Sequence, residues 1–332
     1  MKMKKVLFIL MSLIAVTSMH AKEAFYKTEE YEININYNNE VKQGDAIFVK
    51  MRFSLTDKKN KNLKAELNDT SAMLFLYTGE KKIDSSAFYV LQNKNLKDAH
   101  KTNVLNFLTG IPLSTYFTTK ETSFLKVVYK PFGLKEYEFN LPVTIIEKDF
   151  NSETLQLDEK NSNIKNDISP RRMEEIKHLN EILGTVNPQS VYNVKAFVRP
   201  VESNRYTAFF GDRRVYAYTN GKSSTSLHYG NDYGVPEGTE VKACGDGKVV
   251  LVADRVSTGW SVVIEHLPGL YSLYYHMSST NLKEGQMISS GELVGLSGST
   301  GLATGPHLHW EVRLNMAAVN PDFFTQDFTF TE

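Results

Sequence analysis

The sequence predicts a mainly β protein in two separately folded units. Three observations carry this: a length of 332 residues, apolar alternation with a period of two through most of the chain, and a break into polar and then helix-period sequence near the middle. At roughly 150 residues per domain the length suits two domains, each able to bury a core. The expected order is an N-terminal immunoglobulin-like β-sandwich over residues 22–150, a linker over 151–195 with one short amphipathic helix, and a C-terminal antiparallel β-sheet domain over 196–332.

In chain order, Lys2, Lys4 and Lys5 precede an apolar run from Val6 to Val16. This is the layout of a secretory signal, read here over residues 1–21 with cleavage after Ser18 or Ala21. The run falls short of the ~20 residues that a membrane-spanning helix needs. The mature chain is therefore expected to be exported, without a lasting membrane span. From Tyr31, alternation places Tyr31, Ile33, Ile35 and Tyr37 on one face, and Ile47, Val49, Met51, Phe53 and Leu55 repeat it. Further strand-like runs at 73–77, 87–91, 124–129 and 137–146, separated by polar turns, fit an antiparallel sandwich. The segment 148–168 is polar and reads as linker. Ser169 and Pro170 then make a helix start, and Met173, Ile176, Leu179, Ile182 and Leu183 recur at helical spacing as far as Gly184, giving a helix over 169–183. Beyond Val194, short β runs at 241–243, 247–253, 260–265, 270–276, 292–296 and 307–313 are punctuated by glycines, which predicts antiparallel sheet.

Composition narrows the function. Lys plus Arg and Asp plus Glu are 38 each, so no net field draws the chain to nucleic acid or an anionic membrane. With Cys244 as the single cysteine, a multi-thiolate metal site is excluded, and a metal has to be held by histidine and carboxylate. Five of the eight histidines, His228, His266, His276, His307 and His309, fall between 228 and 309. In LHYGNDYG, His228 and Asp232 are four apart and project to one side of an extended segment, with glycines leaving room for something to approach that face. In GPHLHWEV, His307 and His309 share one strand face while Leu308, Trp310 and Val312 take the core face. A zinc hydrolase needs three protein ligands and an open position. His228, Asp232 and one histidine of the HxH pair supply that number, leaving the other and His276 for acid–base work. His266 follows the alternation of its strand and is expected to pack there.

An ordered set of segments then resembles one family: FGDRR at 210–214, His228 to Asp232, VPEGTEV at 235–241, GKVV at 247–250, IEH at 264–266, YYHM at 274–277, EGQ at 284–286, GSTG at 298–301 and GPHLHWEV at 305–312. From about Pro200 to Phe324 the chain looks like a zinc metallopeptidase of the M23 family, of the LytM or lysostaphin type. The resemblance implies one zinc ion per chain on His228, Asp232 and His309, with His276 and His307 as the catalytic pair. It implies an endopeptidase acting on the peptide stems of peptidoglycan, in the periplasm or cell envelope. The alternative weighed beside it is a non-catalytic relative that binds the wall or activates an amidase. Arg213 or Arg214 is a weaker candidate for contact with a substrate carboxylate. Two positions depart from the family pattern. Asn231 stands beside Asp232 in place of an aliphatic residue and is expected to tune the carboxylate's orientation, and Met277 replaces a leucine at similar volume. The separate N-terminal domain, or the linker with Asp158 and Glu159, is expected to restrict access to the groove.

Overall fold

The computed structural model describes residues 21–29, 31–55, 71–91, 104–118, 120–130, 136–326 and 330. The signal read over 1–21, apart from Ala21, lies outside them, as does His100. Two compact units emerge, one formed by the chain up to Val41 with Ile47–Ile111 and Thr119–Ile146, the other by Lys42–Ala46, Pro112–Thr118 and the chain from Glu147 onward.

The first unit is a two-sheet sandwich. One sheet orders Ala21–Lys27, Tyr31–Asn38, Ala46–Leu55, Val104–Pro112 and Tyr89–Val90; the other orders Glu40–Lys42, Tyr137–Ile146, Ser123–Lys130, Ser71–Thr78 and Lys81–Ala87. Alternation does what it predicts, since Tyr31, Ile33, Ile35 and Tyr37 are all buried. Aromatic rings join the inner faces, with Phe53 and Phe107 of one sheet 5.7 and 5.9 Å from Tyr129 of the other. The strand Val104–Pro112 escaped the period-two reading because five successive residues in it are buried, so no polar face interrupts the apolar one.

The second unit is built on an antiparallel sheet ordered Tyr206–Ala208, Gly230–Tyr233, Leu308–Leu314, Leu270–Met277, Gly259–Leu267, Gly247–Arg255 and Met287–Ile288, with Ala317–Val319 paired to Leu308–Leu314. Its faces differ in chemistry. On one, Tyr271, Leu273 and Tyr275 join Leu251 and Val263, and the helix Pro170–Leu183 covers them with Leu179, Ile182 and Leu183. Ser169 caps that helix, its side chain accepting from the Arg172 N–H. Met173 and Ile176, expected on the packed stripe, are exposed. On the opposite face Trp310 is fully buried. A polar cluster lies within the sheet's core, where His266 bonds through Nδ1 to the Asp246 carbonyl at 2.8 Å and through Nε2 to Ser272 Oγ at 2.7 Å. Tyr274 OH lies 3.1 Å from that hydroxyl and closes the cluster. His266 is thus a packed, hydrogen-bonded residue.

The polar stretch read as linker has structure. Ser152–Gln156 pairs in parallel with Arg213–Ala217, a departure from antiparallel pairing, and Glu159–Asn166 forms a helix capped by Asp158. Two cues explain it: Leu155 and Leu157 alternate along one side, and Glu153 meets Arg214 across the pair. This segment belongs to the second unit.

Two outcomes follow from this packing. A Cβ on Gly230 would sit 2.3 Å from the Trp310 carbonyl oxygen, so Gly230→Ala must push a pair of central strands away from each other, and urea denaturation should show a loss of about 1–3 kcal/mol. Burial pushes His266 down to about 4, while an unfolded histidine titrates near ~6.5. The unfolded chain therefore takes up this proton first on acidification, and the contribution of neutral His266 is complete above pH ~6.5 and is lost as the pH falls toward about 4. Between pH 7.5 and 5, in chelator, His266→Gln should lose about 2 kcal/mol less than the unaltered protein.

Candidate metal centre and active site

The face of the sheet that carries Tyr275 also carries the ionisable cluster. Asp232 stands directly opposite His309 on neighbouring antiparallel strands, and Tyr275 opposite His309 on the other side. His309 stacks on Tyr275 with ring centroids 5.5 Å apart. His228 sits four residues before Asp232, with its N–H donating to the Asp212 carbonyl. Gly230 is needed between them because the Trp310 backbone approaches there. The room that the glycine leaves is filled by the neighbouring strand, which corrects the expectation that a ligand approaches at that point.

Three donor atoms converge. His228 Nε2 lies 3.1 Å and His309 Nδ1 2.7 Å from Asp232 Oδ1, and the two nitrogens are 3.0 Å apart. These separations are slightly inside the ~3.3 Å edge of a tetrahedron with ~2.0 Å bonds. Two imidazole nitrogens and one carboxylate oxygen suit zinc, and all three residues are buried. The second nitrogen of each imidazole is occupied: His228 Nδ1 donates to the Phe209 carbonyl at 2.8 Å, and His309 Nε2 to Glu311 Oε1 at 3.0 Å. Such partners fix the tautomer and turn the lone pair toward the shared point. The donor set fits the metal that the motifs imply.

The charges are matched in series. Arg214 donates through Nε to Glu153 at 2.7 Å and through Nη2 to Asp232 Oδ2 at 3.0 Å, leaving Oδ1 for the histidines. Glu311 receives His309 on one oxygen and Arg313 at 2.7 Å on the other. Burial would raise the Asp232 carboxyl, but His228 and His309 outweigh it and hold it well below the usual carboxylate range. Burial likewise opposes a charge on His309, yet Asp232 and Glu311 prevail and lift it to about 9. A divalent cation competes for the same electron pairs.

His276 and His307 lie beside this cluster, their rings 4.7 Å apart. His307 comes off the strand start, with Nδ1 donating to the Gly305 carbonyl and Nε2 3.8 Å from Asp232 Oδ1. His276 reaches the same face by a different route. Strict alternation would put it with Tyr274 on the Trp310 side. The register slips between Trp260, paired with Met277, and Val262, paired with Tyr274, so the histidine strand carries one extra residue. At this bulge His276 adopts a φ of 60°, a left-handed backbone that is costly for a non-glycine residue. Bulges re-aim side chains, and here the ring turns to lie 6.0 Å from that of His309. The Thr258 carbonyl accepts the His276 N–H, and the Thr300 carbonyl accepts Nδ1–H at 2.7 Å. Burial, with His307 and His309 nearby, pushes His276 down to about 3, and burial lowers His307 as well. Both rings are therefore neutral with Nε2 lone pairs free.

All five residues line one cavity of about 720 Å³. Arg214 lines it too, but its guanidinium is engaged by Glu153 and Asp232. Arg213 does not line it, which corrects its candidacy. Its guanidinium donates to Thr115 and to the Gly211 carbonyl and lies over the Tyr116 and Phe150 rings. Asn231 accepts the Phe210 N–H at 2.9 Å. It thereby fixes the loop whose Phe209 carbonyl holds His228, and so acts on the histidine in place of the expected effect on Asp232. Met277 is fully buried. Sequence reasoning missed Glu311 and Arg313, although both continue the period-two face of His307 and His309. It also missed Glu153, hidden in the supposed linker.

The model of Peptidase family M23 matches residues 226–321. The chain is 44% identical over 95 residues to the DD-carboxypeptidase/endopeptidase Mpg of Neisseria meningitidis serogroup B, covering 29% of this chain and 22% of that protein. It is 40% identical over 128 residues to the peptidoglycan DD-endopeptidase ShyA of Vibrio cholerae, covering 38% and 29%. The chain thus spans less than a third of the length of either relative. A crystal structure of a peptidase M23 protein from Pseudomonas aeruginosa aligns with a TM-score of 0.49 at 25% identity, over 80% of this chain and 92% of that one. The resemblance drawn from the ordered motifs is borne out: residues 226–321 match Peptidase family M23.

Proposed function

We propose that the protein is an exported zinc metalloendopeptidase that hydrolyses peptide cross-links of peptidoglycan in the cell envelope. His228, Asp232 and His309 hold one zinc ion, and His276 and His307 move the protons. The observation that carries this reading is the arrangement of the four histidines: each commits one ring nitrogen to an acceptor outside the triad, while His228 Nε2 and His309 Nδ1 turn to Asp232 Oδ1 and the Nε2 atoms of His276 and His307 make no hydrogen bond among the described residues. The names of the relatives, peptidoglycan DD-endopeptidase and DD-carboxypeptidase/endopeptidase, supply the substrate class.

Zinc supplies Lewis acidity when bound, acidifying water and polarising a scissile carbonyl. The remaining work falls to the chain. Arg214 and Glu311 hold Asp232 and His309 in orientation. The Nε2 atoms of His276 and His307 are both acceptors, and rings this close cannot both be charged cheaply. One proton taken from water is therefore carried by one ring of the pair, which donates it on to the leaving amine. The protonated ring also faces the developing oxyanion.

Muropeptide products released from purified peptidoglycan by the zinc-loaded protein, identified by mass spectrometry, test this reading, and their absence overturns it in favour of a wall-binding role. His307→Ala should slow release by about 10²–10⁴-fold with zinc content unchanged, whereas Asp232→Ala should lose both zinc and activity. Glu311→Gln should weaken zinc binding by about 10–100-fold in a competitive chelator titration.

A further inference from the structure

The anions that line the cavity are all spoken for. Glu153 and Asp232 share Arg214, and Glu311 takes His309 and Arg313. Two cations that line it have no such partner: among the described residues no carboxylate stands within ion-pair distance of Lys165 or of the Arg205 guanidinium. Lys165 is the more telling of the two. It is half-buried, with Nζ 4.1 Å over the Tyr216 ring. Desolvation, with Arg172 and Arg214 nearby, pushes its pKa down, so the fold keeps this ammonium where its charge is costly.

Its place is also built. Arg172 donates to the Lys165 carbonyl at 3.1 Å and to the Asp167 carbonyl, and its Nε reaches Ser257 Oγ at 3.0 Å. Asn161 Nδ2 donates at 3.4 Å to the carbonyl of Ala303, another residue of the cavity wall. A surface lysine that only solvates a helix needs none of this. A desolvated ammonium over an aromatic face, in a cavity whose own anions are neutralised, is complementary to an anion brought by the ligand.

We infer that Lys165 is a carboxylate-binding subsite of the cavity, taking a free carboxylate of an acidic peptide substrate. The inference rests on the endopeptidase reading for its substrate class. The subsite comes from the segment that precedes the M23-matched residues, so specificity is set partly outside that domain.

The test is calorimetric binding to the full mature chain carrying His307→Ala, so that the peptide stays intact. The probes are a synthetic cross-linked stem peptide with free C-terminal carboxylates and the same peptide as its amides. The carboxylate form should bind about tenfold more tightly, as one charge-assisted contact provides. Adding Lys165→Met should bring that ratio to about one, and Lys165→Arg should keep most of it. Equal affinities before the change, no binding of either peptide, or a preference that survives Lys165→Met would each overturn the subsite. The two readings separate cleanly: a Lys165-dependent preference without peptidoglycan cleavage by the unaltered protein upholds the subsite against the endopeptidase, and cleavage without the preference does the reverse.

Discussion

The carboxylate of Asp232 is buried in the sheet, and what surrounds it follows from that burial. An isolated charge there would cost several kcal/mol, so each neighbour must answer it. Arg214 answers on one oxygen and two histidines on the other. Arg214 is in turn answered by Glu153, His309 by Glu311, and Glu311 by Arg313. The result is a chain of alternating sign, from Glu153 through Arg214, Asp232, His309 and Glu311 to Arg313, that links neighbouring strands and begins in the segment preceding the residues matched to family M23. Removing any inner member leaves a buried neighbour unpaired, which is why this one cluster recruits so much of the unit.

The sheet that carries this chain also has to deliver a fourth histidine, and here regular geometry is insufficient. Asp232, His309 and Tyr275 lie in register on three adjacent strands, a consequence of antiparallel pairing alone. His276, one residue beyond Tyr275, belongs by alternation to the other face. Its left-handed backbone and the extra residue at the bulge bring it across at a local cost in stability. Strain of this kind persists only where surrounding contacts over-determine it, and two carbonyls, from Thr258 and Thr300, grip its backbone and its ring.

Legibility in the sequence divides along the same line. His307 and His309 could be placed by counting, because a period of two is strict within a strand. The sandwich strands with one wet face were readable for the same reason, while Val104–Pro112, buried on both sides, was not. His276 could be singled out by its place among the clustered histidines, but not the face it takes, since nothing in YYHM reports a bulge. The segment 148–168 misled because its charges outnumber its leucines. Those charges are partners for the site: Glu153 faces Arg214, and the alternation of Leu155 and Leu157 was the available sign of a strand.

The histidines also show why residue type and spacing do not define a site. His266 lies on a strand beside the same cluster and is as deeply buried as His276, with its pKa likewise depressed. Both of its ring nitrogens are already engaged, by the Asp246 carbonyl and by Ser272, and the only thiol, Cys244, lies next to it, fully buried and pushed up to about 12. No lone pair on it faces the cavity. Each cavity histidine commits one nitrogen to the surrounding fold and keeps the other within the cluster, His228 and His309 on Asp232 Oδ1 and His276 and His307 without a hydrogen bond among the described residues, so what separates them from His266 is where the second nitrogen points. That direction depends on acceptors held by the fold, the Phe209 and Thr300 carbonyls from distant turns and the Gly305 carbonyl and Glu311 carboxylate from two residues away, and is therefore a property of the folded chain.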